Sequence, residues 1–281
     1  MPHRYFGKKA IIATKHEKGK IVTPIFKEVL GLQVSECNID TDILGTFTGE
    51  IERKQSPRET VLIKARLGIE QTGVAIGIAS EGSIGADPLI PFLNSDFEMM
   101  AFIDENLGLE IVESIRSTDI VAAVTSIYKL EDLTEFLQRA DFPRHKLIVR
   151  TKQTPTKFCI KGIDDEYALR KAIEAVQKED SENTAVIESD LRAHCSPSRQ
   201  KIISELTSKL ANRLKQLCPE CNSPGWGVVT YIKGVPCSAC KRVSPEAINQ
   251  EVLGCSKCMY QENGNVVAQT IDPARCDWCN P

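Results

Sequence analysis

Eight of the chain's eleven cysteines fall into four C-x-x-C pairs, all within the last quarter of the sequence. They are Cys218/Cys221, Cys237/Cys240, Cys255/Cys258 and Cys276/Cys279, separated by 15, 14 and 17 residues. Two residues between cysteines let both sulfurs reach one ion, and two such knuckles complete a tetrahedral site. Four knuckles therefore predict two structural zinc ions over 218–281. The runs GWGVVTYIKG and NVVAQTI between them suit the short hairpin strands of ribbons. So short a segment cannot build a hydrophobic core, and the metal clusters replace it. Pairing stays open from spacing alone. Sequential pairing closes the shorter loops and is favoured on that ground; interleaving the first knuckle with the third and the second with the fourth is the alternative. A thioredoxin-like redox reading fails because no pair sits at a strand-to-helix junction.

With 281 residues the chain exceeds the usual single-domain size. Its organisation reads as an α/β ligand-binding or catalytic domain over 1–195, a connecting amphipathic helix over 196–217, and the cysteine-rich region. The net charge of −3 gives no global reason to bind nucleic acid or anionic membrane. No secretory signal is visible at the start, and no segment reaches the roughly 18 apolar residues of a membrane span. A cytoplasmic location is expected. In a reducing cytosol regularly spaced cysteines bind metal rather than form disulfides. Cys37, Cys159 and Cys195 lack spacing partners and read as small buried hydrophobes.

The first 195 residues alternate strand and helix signals, which predicts a mixed sheet with flanking helices. KAIIAT reads as a buried strand running into a turn with Lys15, His16, Lys18 and Lys20. A helix follows over Ile21–Leu30, with Pro24 in its first turn and Gly31 as its stop. Lysines at a helix N-terminus can hold a phosphate; a solvated basic turn uses the same residues. DTDILGTFTGEIER carries Asp40, Asp42, Thr46, Thr48 and Glu50 on a glycine-flexed stretch that suits ligand contact or an ordinary surface turn. Ser56-Pro57-Arg58-Glu59 opens a helix with a capping box, so Glu59 has a structural explanation of its own. Lys64, further along it, is a solvated lysine or a ligand contact.

VAIGIAS is a buried strand, and Glu81 is expected just past its end, where α/β sheets bind ligands. That position suits a Mg²⁺ ligand or a general base. Phe97–Asp104 and Leu109–Ile115 predict a hairpin. A helix, a strand (KLIVRT), a helix near Glu166–Lys178 and a strand (TAVIES) follow. Beyond them, Arg192 suits bidentate phosphate recognition and His194 titrates near neutral pH; a local Asp190–Arg192 ion pair is the alternative.

The combination of ATKH, GTFTGE, ASEGS, DLRAH and CPEC resembles a bacterial domain-of-unknown-function family with a C-terminal zinc-ribbon-like region. IIATKHEKGK, ETVLIKA and GIASEGSIG, in that order, resemble the ITPase-like nucleoside triphosphate pyrophosphatases over roughly the first 120 residues. That resemblance implies phosphate contacts at Thr14 and the nearby lysines, Lys64 near the phosphates, and Mg²⁺ or Mn²⁺ held with help from Glu59 and Glu81. His16 stands where those enzymes have asparagine, Gly19 where they have lysine, and Glu81 alone where many have two acids. The implied activity is Mg-dependent hydrolysis of a nucleotide or related phosphate ester. The alternative is a non-catalytic module in which the α/β domain senses a ligand and the ribbons bind nucleic acid or protein. Trp226, Tyr231, Lys233, Lys241 and Arg242 permit nucleic-acid binding without requiring it.

Overall fold

The computed structural model describes residues 2–14, 17–39, 55–128, 133–153 and 158–281. Its first sheet has the order β2-β1-β3-β4-β5. The strands are β1 (Lys9–Ala13), β2 (Gln33–Cys37), β3 (Ile76–Ala86), β4 (Asn94–Asp104) and β5 (Leu109–Ser117). β1 runs parallel to both β2 and β3, while β3, β4 and β5 form an antiparallel meander. Helix α1 (Gly19–Leu30) carries the chain from β1 to β2 and ends at Gly31 in the left-handed conformation. It starts two residues earlier than its sequence pattern suggests, so Pro24 lies inside the helix rather than in its first turn.

Strand alternation divides the sheet's side chains between two apolar layers. Ile76 and Ile78 of β3, with Met100 and Phe102 of β4, face α1 and α5 (Pro197–Lys215). α5 contributes Ile203, Leu206, Leu210 and Leu214 to this core, so the helix leading to the cysteine region belongs to the packed body of the first sheet. On the opposite face, Ala79, Ala101 and Ile103 pack on Val61, Ala65 and Ile69 of α2 (Pro57–Thr72). The helix approaches β3 so closely that a Cβ at Gly77 would lie 2.5 Å from the Ala65 carbonyl oxygen.

A second, antiparallel sheet has the order β6-β9-β7-β8, built from Val124–Ile127, Ala185–Ser189, Leu147–Arg150 and Cys159–Ile163. Its core is separate, formed with Phe136 of α3 (Thr134–Arg139) and Leu169, Ile173 and Val176 of α4 (Glu166–Glu179). The expected hairpin, both expected strands and the helix near 166–178 are all present. Among the described residues no helix is long and apolar enough to cross a membrane.

The C-terminal region is a three-stranded antiparallel meander of β10 (Gly227–Pro236), β11 (Val243–Gly254) and β12 (Gln261–Val266). Val235 is the one aliphatic side chain buried there; the other buried hydrophobic positions are Cys218, Cys237, Cys255 and Cys276. The fold is thus a mixed α/β body carrying a small zinc-ribbon-like region.

Candidate metal centres and a buried charge cluster

Each knuckle occupies a particular end of the meander. Cys218/Cys221 precede β10, Cys237/Cys240 lie in the β10–β11 turn, Cys255/Cys258 in the β11–β12 turn, and Cys276/Cys279 after β12. Because successive strands reverse direction, the first and third knuckles meet at one end and the second and fourth at the other. The two groups of sulfurs are Cys218, Cys221, Cys255 and Cys258, and Cys237, Cys240, Cys276 and Cys279. The favoured sequential pairing is therefore wrong. Its short-loop argument treated the connections as flexible, whereas a strand of β10's length holds its ends roughly 30 Å apart.

Within the first group, the Cys218–Cys258 and Cys221–Cys255 sulfurs are 3.7 and 3.6 Å apart. In the second, Cys237–Cys279 and Cys240–Cys276 are 3.8 and 3.6 Å apart. A tetrahedron of roughly 2.3 Å metal–sulfur bonds has edges of roughly 3.8 Å, so each group can hold one ion. The first cysteine of every knuckle is buried and the second exposed. Backbone N–H groups of Lys257 and Cys258 point at the Cys255 sulfur from 3.3 and 3.5 Å. Hydrogen bonds from Ser223 hold the Cys221 thiol down to about 6, and the Cys240 backbone N–H helps hold Cys237 down to about 7. Such donors favour the thiolate a metal requires.

The second concentration of chemistry lies where β3 outruns β1. β1 ends at Ala13, level with Ala79, and Ser80, Glu81 and Gly82 continue β3 beyond it. Glu81 is accordingly a mid-strand residue paired with Met99, not a residue past the strand's end. Its carboxylate accepts from Lys64 Nζ of α2 at 2.5 Å. On the other face Lys18 Nζ donates to Ser80 Oγ at 2.8 Å and lies 4.0 Å from Glu98 Oε2. Arg199 Nε of α5 donates to Glu98 Oε1 at 2.6 Å. Gly82 makes room for that pair, since a Cβ there would lie 2.3 Å from Glu98 Oε1 and 2.4 Å from Arg199 Nη2. Burial above all pushes the Lys18 ammonium down to about 8, although Glu98 opposes it. Asp96 is fully buried, neither of its oxygens meets a hydrogen-bond donor, and burial with the nearby Glu98 charge pushes it up to about 7.

Other expected site residues fall elsewhere. Glu59 is spent on the capping box: its carboxylate accepts from Ser56 N at 2.9 Å and Ser56 Oγ at 2.7 Å, in an exposed turn. Lys20 is exposed and paired with Glu17. The N-terminus of α1 already holds an anion, because Gly19 N donates to Glu36 Oε1 of β2 at 2.5 Å. Arg192 makes the local ion pair, with Nε 2.9 Å from Asp190 Oδ1. His194 sits in the 3-10 turn Ala193–Cys195 that precedes α5. Thr14 is buried directly after β1. His16, Thr46, Thr48, Asp40, Asp42 and Glu50 lie outside the described residues. Of the unpaired thiols only Cys195 is buried; Cys37 and Cys159 are half-buried.

Sequence reasoning missed Ser80, Asp96, Glu98 and Arg199, although two signals were present. Asp96 and Glu98 share a strand face with Met100 and Phe102, which breaks the apolar alternation. Arg199 opens the stripe Arg199, Ile203, Leu206, Leu210, Leu214, a buried cation at a core position.

Residues 64–281 match the family model of a domain of unknown function, DUF6671. The chain belongs to that family. The matched span takes in Lys64, Glu81, Asp96, Glu98, Arg199 and both cysteine tetrads. No curated protein and no solved structure matches the chain, so no comparison returns the ITPase-like pyrophosphatases.

The pairing is tested by metal counting. Cys221→Ser with Cys258→Ser removes one centre and spares the other, so elemental analysis should find half the wild-type metal. Cys221→Ser with Cys240→Ser strikes both centres and should lose nearly all of it; the reverse pattern would indicate sequential pairing.

Asp96 yields a pH prediction. A carboxyl whose folded-state pKa is raised costs nothing below its ordinary value near 4 and costs most above about 7, so its effect erodes stability as pH rises through that window. Asp96→Asn removes the slope. The melting temperature of the variant minus that of the wild type should increase from about pH 5 to about pH 8; a constant difference would count against the raised pKa.

Proposed function

We propose that both tetrads hold zinc, and that the crevice beyond β1 is the active site of a hydrolase acting on a nucleotide or related phosphate ester. Zinc is the ion that four thiolates at tetrahedral spacing suit, and closed sites of this kind serve folding rather than catalysis.

The observation that carries the hydrolase reading is the convergence of Lys18 and Lys64, both nine-tenths buried, on Ser80 and Glu81 beyond the end of a parallel strand. A buried ammonium is expensive unless it answers to a charge, and such clusters concentrate at functional sites. With Glu36 occupying the α1 N-terminus, phosphate oxygens fall to side chains: Lys18 and Lys64, with Thr14 directly after β1 as a further candidate. Arg199 lends positive potential through Glu98. A phosphate entering the crevice takes over the lysines from their present partners and frees the Glu81 carboxylate. Among the described residues, groups of three or more metal-ligating side chains at coordinating distance occur only in the cysteine tetrads. Mg²⁺ or Mn²⁺ would therefore arrive with the substrate, held by its phosphate oxygens and one carboxylate, Glu81. When bound it neutralises charge on the transferring phosphoryl group.

The alternative reading, a binding module, rests on exposed Tyr231, Ile232 and Trp278 in the ribbon, with Arg242 stacked 5.6 Å over Trp278. Five lysines and arginines against six carboxylates over 218–281 favour a protein over a nucleic acid on that surface.

Release of phosphate and pyrophosphate from standard and non-standard nucleotides, with Mg²⁺ or Mn²⁺, tests the hydrolase. Glu81→Gln should lower kcat by about 10²-fold or more with zinc content unchanged. No release by folded, zinc-loaded protein, or full activity in the variant, would refute it.

A further inference from the structure

A second constellation stands apart from the lysine crevice, at the N-terminus of α5 on the side of the second sheet. Asp141 follows α3 in the left-handed conformation, with φ of +49°, and its main-chain carbonyl accepts from the His145 backbone N–H at 3.0 Å. The tight turn places the two side chains together, with His145 Nδ1 2.9 Å from Asp141 Oδ2. The other ring nitrogen, Nε2, lies 3.0 Å from Ser198 Oγ. His145 is 3 % exposed, and Ser198, the second residue of α5, is half-buried.

The tautomer of His145 is fixed by one backbone group. The Ser198 N–H donates to His145 Nε2 at 3.1 Å. A peptide N–H can only donate, so Nε2 bears a lone pair and the neutral imidazole carries its proton on Nδ1. Nδ1–H therefore donates to the Asp141 carboxylate. The Val121 N–H donates to Ser198 Oγ at 3.1 Å, which occupies one oxygen lone pair; the serine proton has Nε2, shared with the Ser198 N–H, and Ser196 Oγ at 3.4 Å within reach. The result is a hydroxyl, a base in the tautomer that can accept its proton, and a carboxylate orienting the base. A helix cap would need only the Ser198 N–H bond; it does not account for the Asp141 contact.

We propose that Ser198, His145 and Asp141 form a second catalytic centre, a serine nucleophile that hydrolyses carboxylic esters of small acyl groups. Arg144, the cation beside the relay, faces Asp141 at 3.6 Å rather than the serine, and a neutral carbonyl needs no cationic clamp of the kind phosphoryl transfer does. Ser198 Oγ bonds to the acyl carbon as its proton passes to His145 Nε2. The ester C–O bond breaks and the alcohol leaves with that proton. Water then gives a proton to Nε2 and its remaining hydroxyl to the acyl carbon; the Ser198 Oγ–acyl bond breaks, the carboxylic acid departs, and the proton returns from Nε2 to Ser198 Oγ. Asp141 holds the ring in place, and negative charge on the acyl oxygen develops at the positive end of a 19-residue helix.

The test uses the full-length, zinc-loaded protein with a fluorophosphonate probe and peptide mapping by mass spectrometry, beside hydrolysis of p-nitrophenyl acetate. Ser198 should carry the probe, and ester turnover should fall about 10²-fold or more in Ser198→Ala and in Asp141→Asn. Probe on Ser196, whose hydroxyl lies 3.4 Å away, or no probe at all on folded protein, would overturn the proposal. So would undiminished turnover in the folded variants. The wild-type label map decides the matter even where a variant fails to fold.

Discussion

The interleaved pairing of the cysteine knuckles is the constraint on which the C-terminal quarter of the architecture rests. An antiparallel meander puts alternate turns at alternate ends, so a metal site at each end must draw its ligands from non-adjacent knuckles. Each tetrad joins two of the meander's turns or ends, and together the two tetrads reach all three strands. With Val235 the lone buried aliphatic side chain there, the buried cysteines of the two tetrads make up the interior that apolar packing does not. The first knuckle is also tied to the body of the protein. Gly225 N and Trp226 N donate to Gln216 O just after α5, and Arg213 Nε of α5 donates to Gly225 O at 3.0 Å. Gly225 has a φ of +95° and sits so close to Ile111 of β5 that a Cβ would overlap its side chain.

Helix α5 consequently serves three environments at once. Its apolar stripe completes the core between α1 and the first sheet, its C-terminal end seats the ribbon, and its first turn divides between two polar sites. Arg199 turns toward Glu98 beside the buried lysines, whereas Ser198, one residue earlier and 100° around the helix, turns toward His145. Buried ions of this kind contribute little net stability, since desolvation offsets most of the Coulomb attraction. Removing one partner is what costs. Three cations (Lys18, Lys64, Arg199) meet three carboxylates (Glu81, Asp96, Glu98), and Asp96 is the member whose hydrogen bonds are unmade. Local stability is given up there.

Local patterns in the sequence carried the elements well. The capping box at Ser56–Glu59, the Gly31 and Gly73 helix stops, the 97–115 hairpin and the four knuckles each depend on residues close in the chain, and each is where the pattern places it. What depends on tertiary geometry was not legible. Knuckle pairing follows from strand direction, which spacing does not encode. The apolar run stops at Ala79, a pattern that puts Glu81 past a strand's end; β3 continues through polar residues because β4 supplies it with backbone partners out to Asn94. Phosphate at the α1 N-terminus could not be weighed against Glu36, which arrives from another strand. The relay of Asp141, His145 and Ser198 joins residues 53 positions apart, and an isolated histidine ahead of a strand gives no sign of it.

The account stands or falls on two closed all-sulfur metal centres in one small sheet. Zinc K-edge X-ray absorption on the purified protein, with zinc quantified per chain, tests this most directly. Two zinc ions per chain, each with four sulfur neighbours at roughly 2.3 Å and no nitrogen or oxygen in the shell, is the expected result. A single zinc per chain, or a shell mixing sulfur with oxygen or nitrogen, would contradict the interleaved double centre.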